Sequence, residues 1–215
     1  WTQVLPPNPL ALVFPRSTLE ISAILKYCNL NHIAVVPSGG RTGLAGGAIA
    51  AQKELILSLE KMNKILEVDP VAMTIEAEAG TILENLQLAA SKVNLEFPLD
   101  LGAKGSCQIG GNIATNAGGL KMIRHGGTRE QVLGLEVVLA DGKILDLNKK
   151  LLKNNTGYDL KQWFIGSEGT LGVITKASLK LSPKYYYLVI LTLLSLVVLL
   201  GIEFLKFIEK YKPEQ

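Results

Sequence analysis

The chain opens with short apolar runs punctuated by prolines and polar caps. Leu10–Phe14 reads as a strand ended by Pro15. Ser17 or Thr18 caps a helix with Glu20 in its first turn, and Ile21, Ile24, Leu25 and Cys28 fill one face of it. Ile33–Val36 is a second strand closed by Pro37, and the β-α-β order predicts a parallel pair with a right-handed crossover. Leu55–Leu59 is a further strand, while Ile65–Val68 and Met73–Ala77 form a strand pair turning at Asp69-Pro70. Thr81 caps a helix from Ile82 to about Val93, with Leu83, Leu86 and Ala90 inward. A long Gly/Asn/Ala-rich region follows from Pro98 to Gly127. Leu133–Leu139 is a strong strand, and Asp141-Gly142 signals a hairpin before Lys143–Leu147. Thr156–Trp163 is polar loop or helix, and Leu171–Leu181 is a last strand. The pattern is α+β: one βαβ unit, then mostly meandering strands.

Beyond these elements the pattern changes. Tyr185 to Ile202 reads YYYLVILTLLSLVVLLGI, eighteen residues without a charge, preceded by Lys184 and followed by Lys206, Lys210 and Lys212. Two readings stand. In one, Tyr185–Thr192 is a buried strand, and Ser195 caps a helix running to Tyr211 with Pro213 beyond it and Phe204, Phe207 and Ile208 on one face. In the other, 185–202 is a membrane-like segment with three tyrosines as an aromatic belt. The chain begins Trp1-Thr2-Gln3, with no basic stretch leading into an apolar one, so no signal peptide is expected; the absent Met points to a processed chain or a fragment.

Composition narrows the class. The chain has 215 residues, 48% hydrophobic and 19% charged, enough to bury a core and too apolar for intrinsic disorder. A net charge of +3 without basic clusters argues against a nucleic-acid partner. Two cysteines, Cys28 and Cys107, exclude a disulfide scaffold and a four-cysteine zinc site, and two histidines, His32 and His125, leave no His-rich metal site. No metal ligands or catalytic residues are therefore assigned. Glycine stands out at 21 residues, about a tenth of the chain against a typical ~7%, and it clusters.

The first cluster is Pro37-Ser38-Gly39-Gly40-Arg41-Thr42-Gly43-Leu44-Ala45-Gly46-Gly47, directly after a strand. Five glycines in nine residues exceed the needs of a turn. They leave the backbone N–H groups open to an anion, with Ser38 and Thr42 adding hydroxyls. The loop matches neither a P-loop nor a Gly-x-Gly-x-x-Gly fingerprint, which disfavours ATP and NAD on those folds. The second runs from Gly102 through Gly105, Ser106, Cys107, Gly110, Gly111, Asn112 and Ala114 to Thr115, Asn116, Gly118 and Gly119. Its small residues allow a flat ring close to the backbone, and Asn112, Thr115 and Asn116 suit a heterocycle edge. The third, Ile165-Gly166-Ser167-Glu168-Gly169-Thr170-Leu171-Gly172-Val173-Ile174-Thr175, feeds the last strand, and Glu168 can accept a hydrogen bond there. For the second and third clusters, a tightly packed turn explains the composition as well as a ligand does.

The three segments in this order resemble the FAD-binding domain of the vanillyl-alcohol-oxidase-like flavoproteins, the p-cresol methylhydroxylase fold. Within it they are similar to the FAD-linked D-2-hydroxyacid dehydrogenases: glycolate oxidase flavoprotein subunit, D-lactate dehydrogenase and D-2-hydroxyglutarate dehydrogenase. The runs PLDLGAKGSCQIGGNIATNAGGL, LGLEVVLADG and NTGYDLKQWFIGSEGTLGVIT carry the resemblance, nearest to the last of these. It implies a two-subdomain FAD-binding domain over 7–183 and a tail, 184–215, that is either the start of a truncated substrate cap or a hydrophobic anchor. It implies that the Ser38–Gly43 loop holds the pyrophosphate through backbone amides. Pro98, Gly102, Gly105, Ser106, Gly110, Gly111, Asn112 and Ala114 would line the isoalloxazine, ribityl and diphosphate path. Gly172, Val173 and Ile174 would contact the adenine side or the flavin middle. Pro37, Gly39, Gly40, Arg41, Thr42, Leu44, Gly47, Thr115, Asn116, Gly119, Glu168 and Gly169 are expected to touch the cofactor as well. Relatives with covalent flavin carry a His in the first loop; Arg41-Thr42 here implies non-covalent FAD. Cys107 is expected as a packing residue and His125 as a loop residue, with Arg124 a cation near the flavin or an interface.

The implied reaction is oxidation of a D-2-hydroxy acid to the 2-oxo acid, with electrons leaving to an electron-transfer protein or quinone. The cap of such enzymes supplies metal-binding histidines and a carboxylate-gripping arginine, yet no His follows His125 and no Arg follows Arg129. Little activity is therefore expected of this chain alone. The alternatives are a non-catalytic FAD module needing a partner subunit and a membrane-anchored flavoprotein. A cytoplasmic setting is expected, or a mitochondrial one in a eukaryote.

Overall fold

A computed structural model describes residues 6–148, 150–184 and 187–210. The chain divides into two compact units, Trp1–Ser182 and Pro183–Gln215. The first holds β1 (Ala11–Val13), α1 (Thr18–Leu30), β2 (Val35–Ser38), β3 (Leu55–Ser58), β4 (Ile65–Asp69), β5 (Thr74–Glu78), α2 (Leu83–Lys92) and β6 (Leu95–Glu96). It continues through α3 (Ile109–Ala114), α4 (Met122–His125), α5 (Thr128–Gln131), β7 (Val132–Val138), β8 (Ile144–Leu147), α6 (Lys161–Phe164) and β9 (Val173–Lys180).

Two sheets organise this unit. The smaller has order β1-β3-β2, all parallel, with Ala11 and Val35 both opposite Leu55. The expected parallel pairing of the first two strands is thus replaced by one in which β3 inserts between them. Pro37 lies within β2 rather than ending it. Its missing N–H is harmless because β2 is an edge strand. The larger sheet is antiparallel, with order β4-β5-β9-β7-β8. The last strand enters its centre, so the sheet is not a simple meander, and residues 173–180 are locked between segments about 40 and 100 positions earlier.

Helix α1 begins where expected: Ser17 Oγ accepts from Glu20 N at 3.2 Å. Its Ile21, Leu25 and Cys28 are buried. The helix is also held to the larger sheet. Thr18 Oγ1 donates to Glu136 Oε1 at 2.6 Å, and Ser22 Oγ donates to the Gly142 carbonyl at 2.5 Å. Gly142 has φ 84° in the β7–β8 hairpin, and a side chain there would meet Ser22 O at 2.7 Å. Helix α2 buries Leu83, Leu86 and Ala90 completely; each leucine contributes roughly 1.5–3 kcal/mol. Thr81 does not cap it. Ile82 occupies that position without a side-chain bond, and Thr81 Oγ1 turns to the Lys64 carbonyl at 3.3 Å. The Pro98–Gly127 region is not irregular throughout, since α3 and α4 lie within it. Two glycines in six residues conceal α3 from a propensity reading.

The second unit contains one long helix, α7 (Tyr187–Lys210). The reading of Tyr185–Thr192 as a strand is overturned from Tyr187 onward; Tyr185 and Tyr186 lie outside the described residues. Ser195 is not an N-cap, because its hydroxyl donates to the Thr192 carbonyl at 2.8 Å inside the helix.

Candidate functional site

Strand β2 ends at Ser38 and delivers the first glycine loop onto the second. A methyl placed on Gly40 would sit 2.1 Å from Ser106 O and 2.9 Å from Cys107 Cα, so only glycine allows this approach of two backbones. One on Gly39 would lie 3.4 Å from Gln108 Oε1 and 3.9 Å from Gly111 Cα. The third segment closes on both. Gly166 N donates to Ile113 O at 3.1 Å and Glu168 N to Ala114 O at 2.9 Å. A methyl on Gly169 would be 3.0 Å from Pro37 Cγ, and one on Gly47 would be 3.3 Å from Glu168 Oε2. Three segments separated by some sixty positions each therefore meet pairwise at one junction. Each contributes one non-glycine residue with positive φ: Arg41 at 55°, Asn116 at 47° and Glu168 at 52°. Such backbone is uncommon for these residues and gathers at functional sites.

The floor of the junction is the β5–α2 turn. Gly110 N donates to Ala79 O at 2.7 Å, and Ala79 N donates to Thr175 O at 2.9 Å, so α3 is held to β9 through one residue. A methyl on Gly110 would be 2.7 Å from Ala79 Cβ. Arg129 fastens the third segment: its guanidinium donates to Gln162 O at 2.9 Å, Gln162 Oε1 at 2.7 Å and Ile165 O at 2.5 Å.

Three buried polar atoms at this junction have no hydrogen-bond partner: Ser38 Oγ, Gln108 Oε1 and Asn112 Oδ1. Their residues are 1%, 9% and 6% exposed. An unpaired buried group costs about 1–3 kcal/mol, and three of the five such atoms among the described residues gather here, the other two being Asn148 Oδ1 and Ser178 Oγ. Beside them a methyl on Gly111 would meet nothing within 4 Å, and the same holds for Gly43 and Gly102. The glycines of the three segments thus differ in kind: Gly40 and Gly110, like Gly80 at 1.9 Å from Leu59 O, are required by close backbone approach, whereas Gly43, Gly102 and Gly111 have open space where a side chain would stand.

Other expected site residues have work within the protein. Thr115 Oγ1 donates to Gly111 O at 2.9 Å, and Asn116 Oδ1 accepts from Arg129 N at 3.1 Å. Gly119, at φ 91°, lies where a methyl would strike Asp100 O at 2.5 Å, and Gly172 abuts Val138 O at 2.9 Å. Val173 and Ile174 are core side chains of β9, 3% and 5% exposed. Pro98 is buried, while Arg41, Leu44, Gly105, Ser106 and Glu168 are exposed. Burial pushes the Cys107 thiol up, with a hydrogen bond from the Asn112 side chain pulling it partway back, so it is a poor nucleophile. His125 is not in a loop. It ends α4, half-buried, with Nε2 3.9 Å from Glu96 Oε1. Two residues were missed. Gln108 stood, like Lys104, as a large polar side chain in a run of small ones; Arg129 carried no local signal, because its partners lie 33–36 positions away.

Comparison with known proteins agrees with this geometry. The family model described as FAD binding domain matches residues 9–148, which include the first two glycine segments. A D-2-hydroxyglutarate dehydrogenase of Xanthomonas citri pv. viticola is 52% identical over 182 residues, 85% of this chain and 39% of the relative. The mitochondrial D-2-hydroxyglutarate dehydrogenase of Arabidopsis thaliana is 53% identical over 173 residues, covering 80% and 31%, and that of Danio rerio 51% over 184 residues, covering 86% and 34%. The chain therefore spans between 31% and 39% of the length of these relatives. Among solved structures, alkyldihydroxyacetonephosphate synthase superposes with a TM-score of 0.70 at 26% identity, over 80% of this chain and 31% of that one. A family match over residues 9–148, well over half of the chain, places this protein in the FAD binding domain family.

Proposed function

We propose that the glycine junction holds FAD non-covalently on a p-cresol methylhydroxylase-type domain, and that the chain is the cofactor-holding part of a D-2-hydroxyacid dehydrogenase. D-2-hydroxyglutarate is its foremost substrate class under this reading. The observation that supports it is the gathering of three unpartnered buried polar atoms, Ser38 Oγ, Gln108 Oε1 and Asn112 Oδ1, where the first glycine loop meets the second. The donor set suits a flavin dinucleotide: neutral hydroxyl and amide groups for ribityl and ring edges, and glycine N–H groups for a pyrophosphate. When bound, FAD accepts the hydride of the substrate α-carbon and passes electrons to an electron-transfer protein or quinone.

The chain's own residues bind and orient. The Ser38–Gly43 loop supplies backbone donors to the phosphates. Gln108 and Asn112 fix the position of the dinucleotide by neutral hydrogen bonds. Arg129 keeps the third segment closed over it. The buried Ile109 and Ile113 beside these groups exclude water from the inner wall. Substrate grip and proton removal are assigned to the remaining length that the relatives possess, whether in the same polypeptide or in a partner subunit. The plant and fish relatives are named mitochondrial, which supports a mitochondrial setting in a eukaryote.

The test is reconstitution. The chain is incubated with FAD, freed of excess by gel filtration, and then acid-precipitated. A yellow protein whose colour passes entirely into the supernatant is expected. Flavin retained in the pellet overturns the non-covalent assignment.

A further inference from the structure

The helix α7 carries chemistry that the flavin site does not use. Its window Ile190–Ile208 has 19 residues with a mean hydropathy of 2.2, and none of it is buried. A helix that docks on a protein groove shows an apolar stripe and a polar back. In this one the polar side chains Thr192, Ser195, Glu203 and Lys206 are confined to one narrow arc that Leu199 interrupts. Ile190, Leu191, Leu193, Leu194, Leu196 and Val197 are all exposed, and they take up well over half of the circumference, wider than a docking stripe. A helix apolar over so much of its girth needs apolar surroundings on most sides.

Length identifies the surrounding. At 1.5 Å per residue the window measures about 28 Å, which matches the roughly 30 Å hydrocarbon core of a bilayer. The polar atoms inside it are handled as lipid requires. The Ser195 hydroxyl is returned to the Thr192 carbonyl at 2.8 Å, and the two charges of the window pair with each other at its end, Lys206 Nζ to Glu203 Oε1 at 2.8 Å. In the sequence Lys184 precedes the apolar run and Lys210 and Lys212 follow it, the residue type whose long stem suits a membrane interface. We propose that α7 spans a lipid bilayer and anchors the flavin-binding unit to a membrane. The inference does not rest on the flavin reading, since its observations all lie in the second unit.

The full chain is expressed in a bacterial host and the membranes are extracted with alkaline carbonate. The pellet is then floated with phosphatidylcholine–phosphatidylglycerol vesicles through a density gradient. At least nine-tenths of the chain should resist carbonate and float with lipid. The double variant Leu194→Arg/Val198→Arg places two charges at mid-helix and should cut the floating fraction at least tenfold. FAD binding by that variant serves as the check that the first unit is folded. Release of the wild-type chain by carbonate, or sedimentation as lipid-free protein, overturns the proposal; a discrete complex with another polypeptide in the released fraction would assign α7 to a protein core instead.

Discussion

Replacing Gly111 by alanine separates a glycine that the fold requires from one that a ligand requires. Gly111 lies in the middle of α3, and a methyl there meets nothing within 4 Å. Without cofactor, the substitution removes backbone freedom from the unfolded chain and should stabilise by about 0.5–1 kcal/mol. For a chain of this size, 1 kcal/mol corresponds to a rise in Tm of roughly 2–4 °C. With cofactor, the methyl stands in open space on α3, the helix that carries Asn112, space that the proposed dinucleotide would fill. Forcing a carbon into a filled site costs about 1–3 kcal/mol, so Kd for FAD should rise roughly 5- to 150-fold. Gly40→Ala is the contrast. Its methyl would lie 2.1 Å from Ser106 O and 2.9 Å from Cys107 Cα, both backbone. It should destabilise the apo chain by about 3 kcal/mol or more. Thermal melting without FAD and titration of flavin fluorescence quenching measure the two quantities. A Gly111→Ala protein with wild-type FAD affinity would refute the reasoning, as would one that melts well below wild type.

Glu136 is half-desolvated, which alone would raise its pKa, yet donors from Thr18, Lys176 and Thr175 and the Lys176 charge outweigh this and hold it below its ordinary value of 4.5. A depressed carboxylate stabilises above the unfolded value and loses that contribution as pH falls through the folded one; denaturant melts from neutral to acid pH should show this limb, and Glu136→Gln should flatten it. Glu136→Ala removes the acceptor of Thr18 and Lys176, while Thr175 keeps the backbone carbonyl of residue 136 at 3.1 Å, and should cost about 1–3 kcal/mol, read from the same melts. Arg129→Ala frees residues 161–172 from the junction, so amide exchange there should quicken while α2 stays protected, and FAD affinity should fall. Burial raises the thiols of Cys28 and Cys107, so neither should be alkylated in the native chain at neutral pH, whereas both react after denaturation.

Much of the fold was legible because its signals are local. Ser17 at the start of α1, Asp69-Pro70 between β4 and β5, and Asp141-Gly142 between β7 and β8 each mark a boundary by its own chemistry. What stayed hidden is long-range. Nothing near Leu55 says that β3 inserts between β1 and β2, and nothing near Val173 says that β9 enters the centre of the larger sheet. The helix α3 was masked by Gly110 and Gly111, which lower propensity but allow contact with Ala79 and leave room for a ligand. At the site, the glycine clusters were visible as composition. Their division into glycines that close the fold and glycines that leave space was not, because it depends on which backbone lies opposite. The tail misled for a different reason. Tyrosine and β-branched residues favour strands by packing on a pleated surface, but among the described residues the chain after Lys184 forms the single helix Tyr187–Lys210, and the helical pattern of the later residues extends back to Tyr187.

The central claim is that three separated glycine segments join into one flavin-dinucleotide site. Quantifying flavin and protein in a folded, gel-filtered preparation after incubation with excess FAD tests it most directly. One FAD per chain, with the blue absorbance band of a bound flavin, is the expected result. A folded chain that emerges colourless contradicts it.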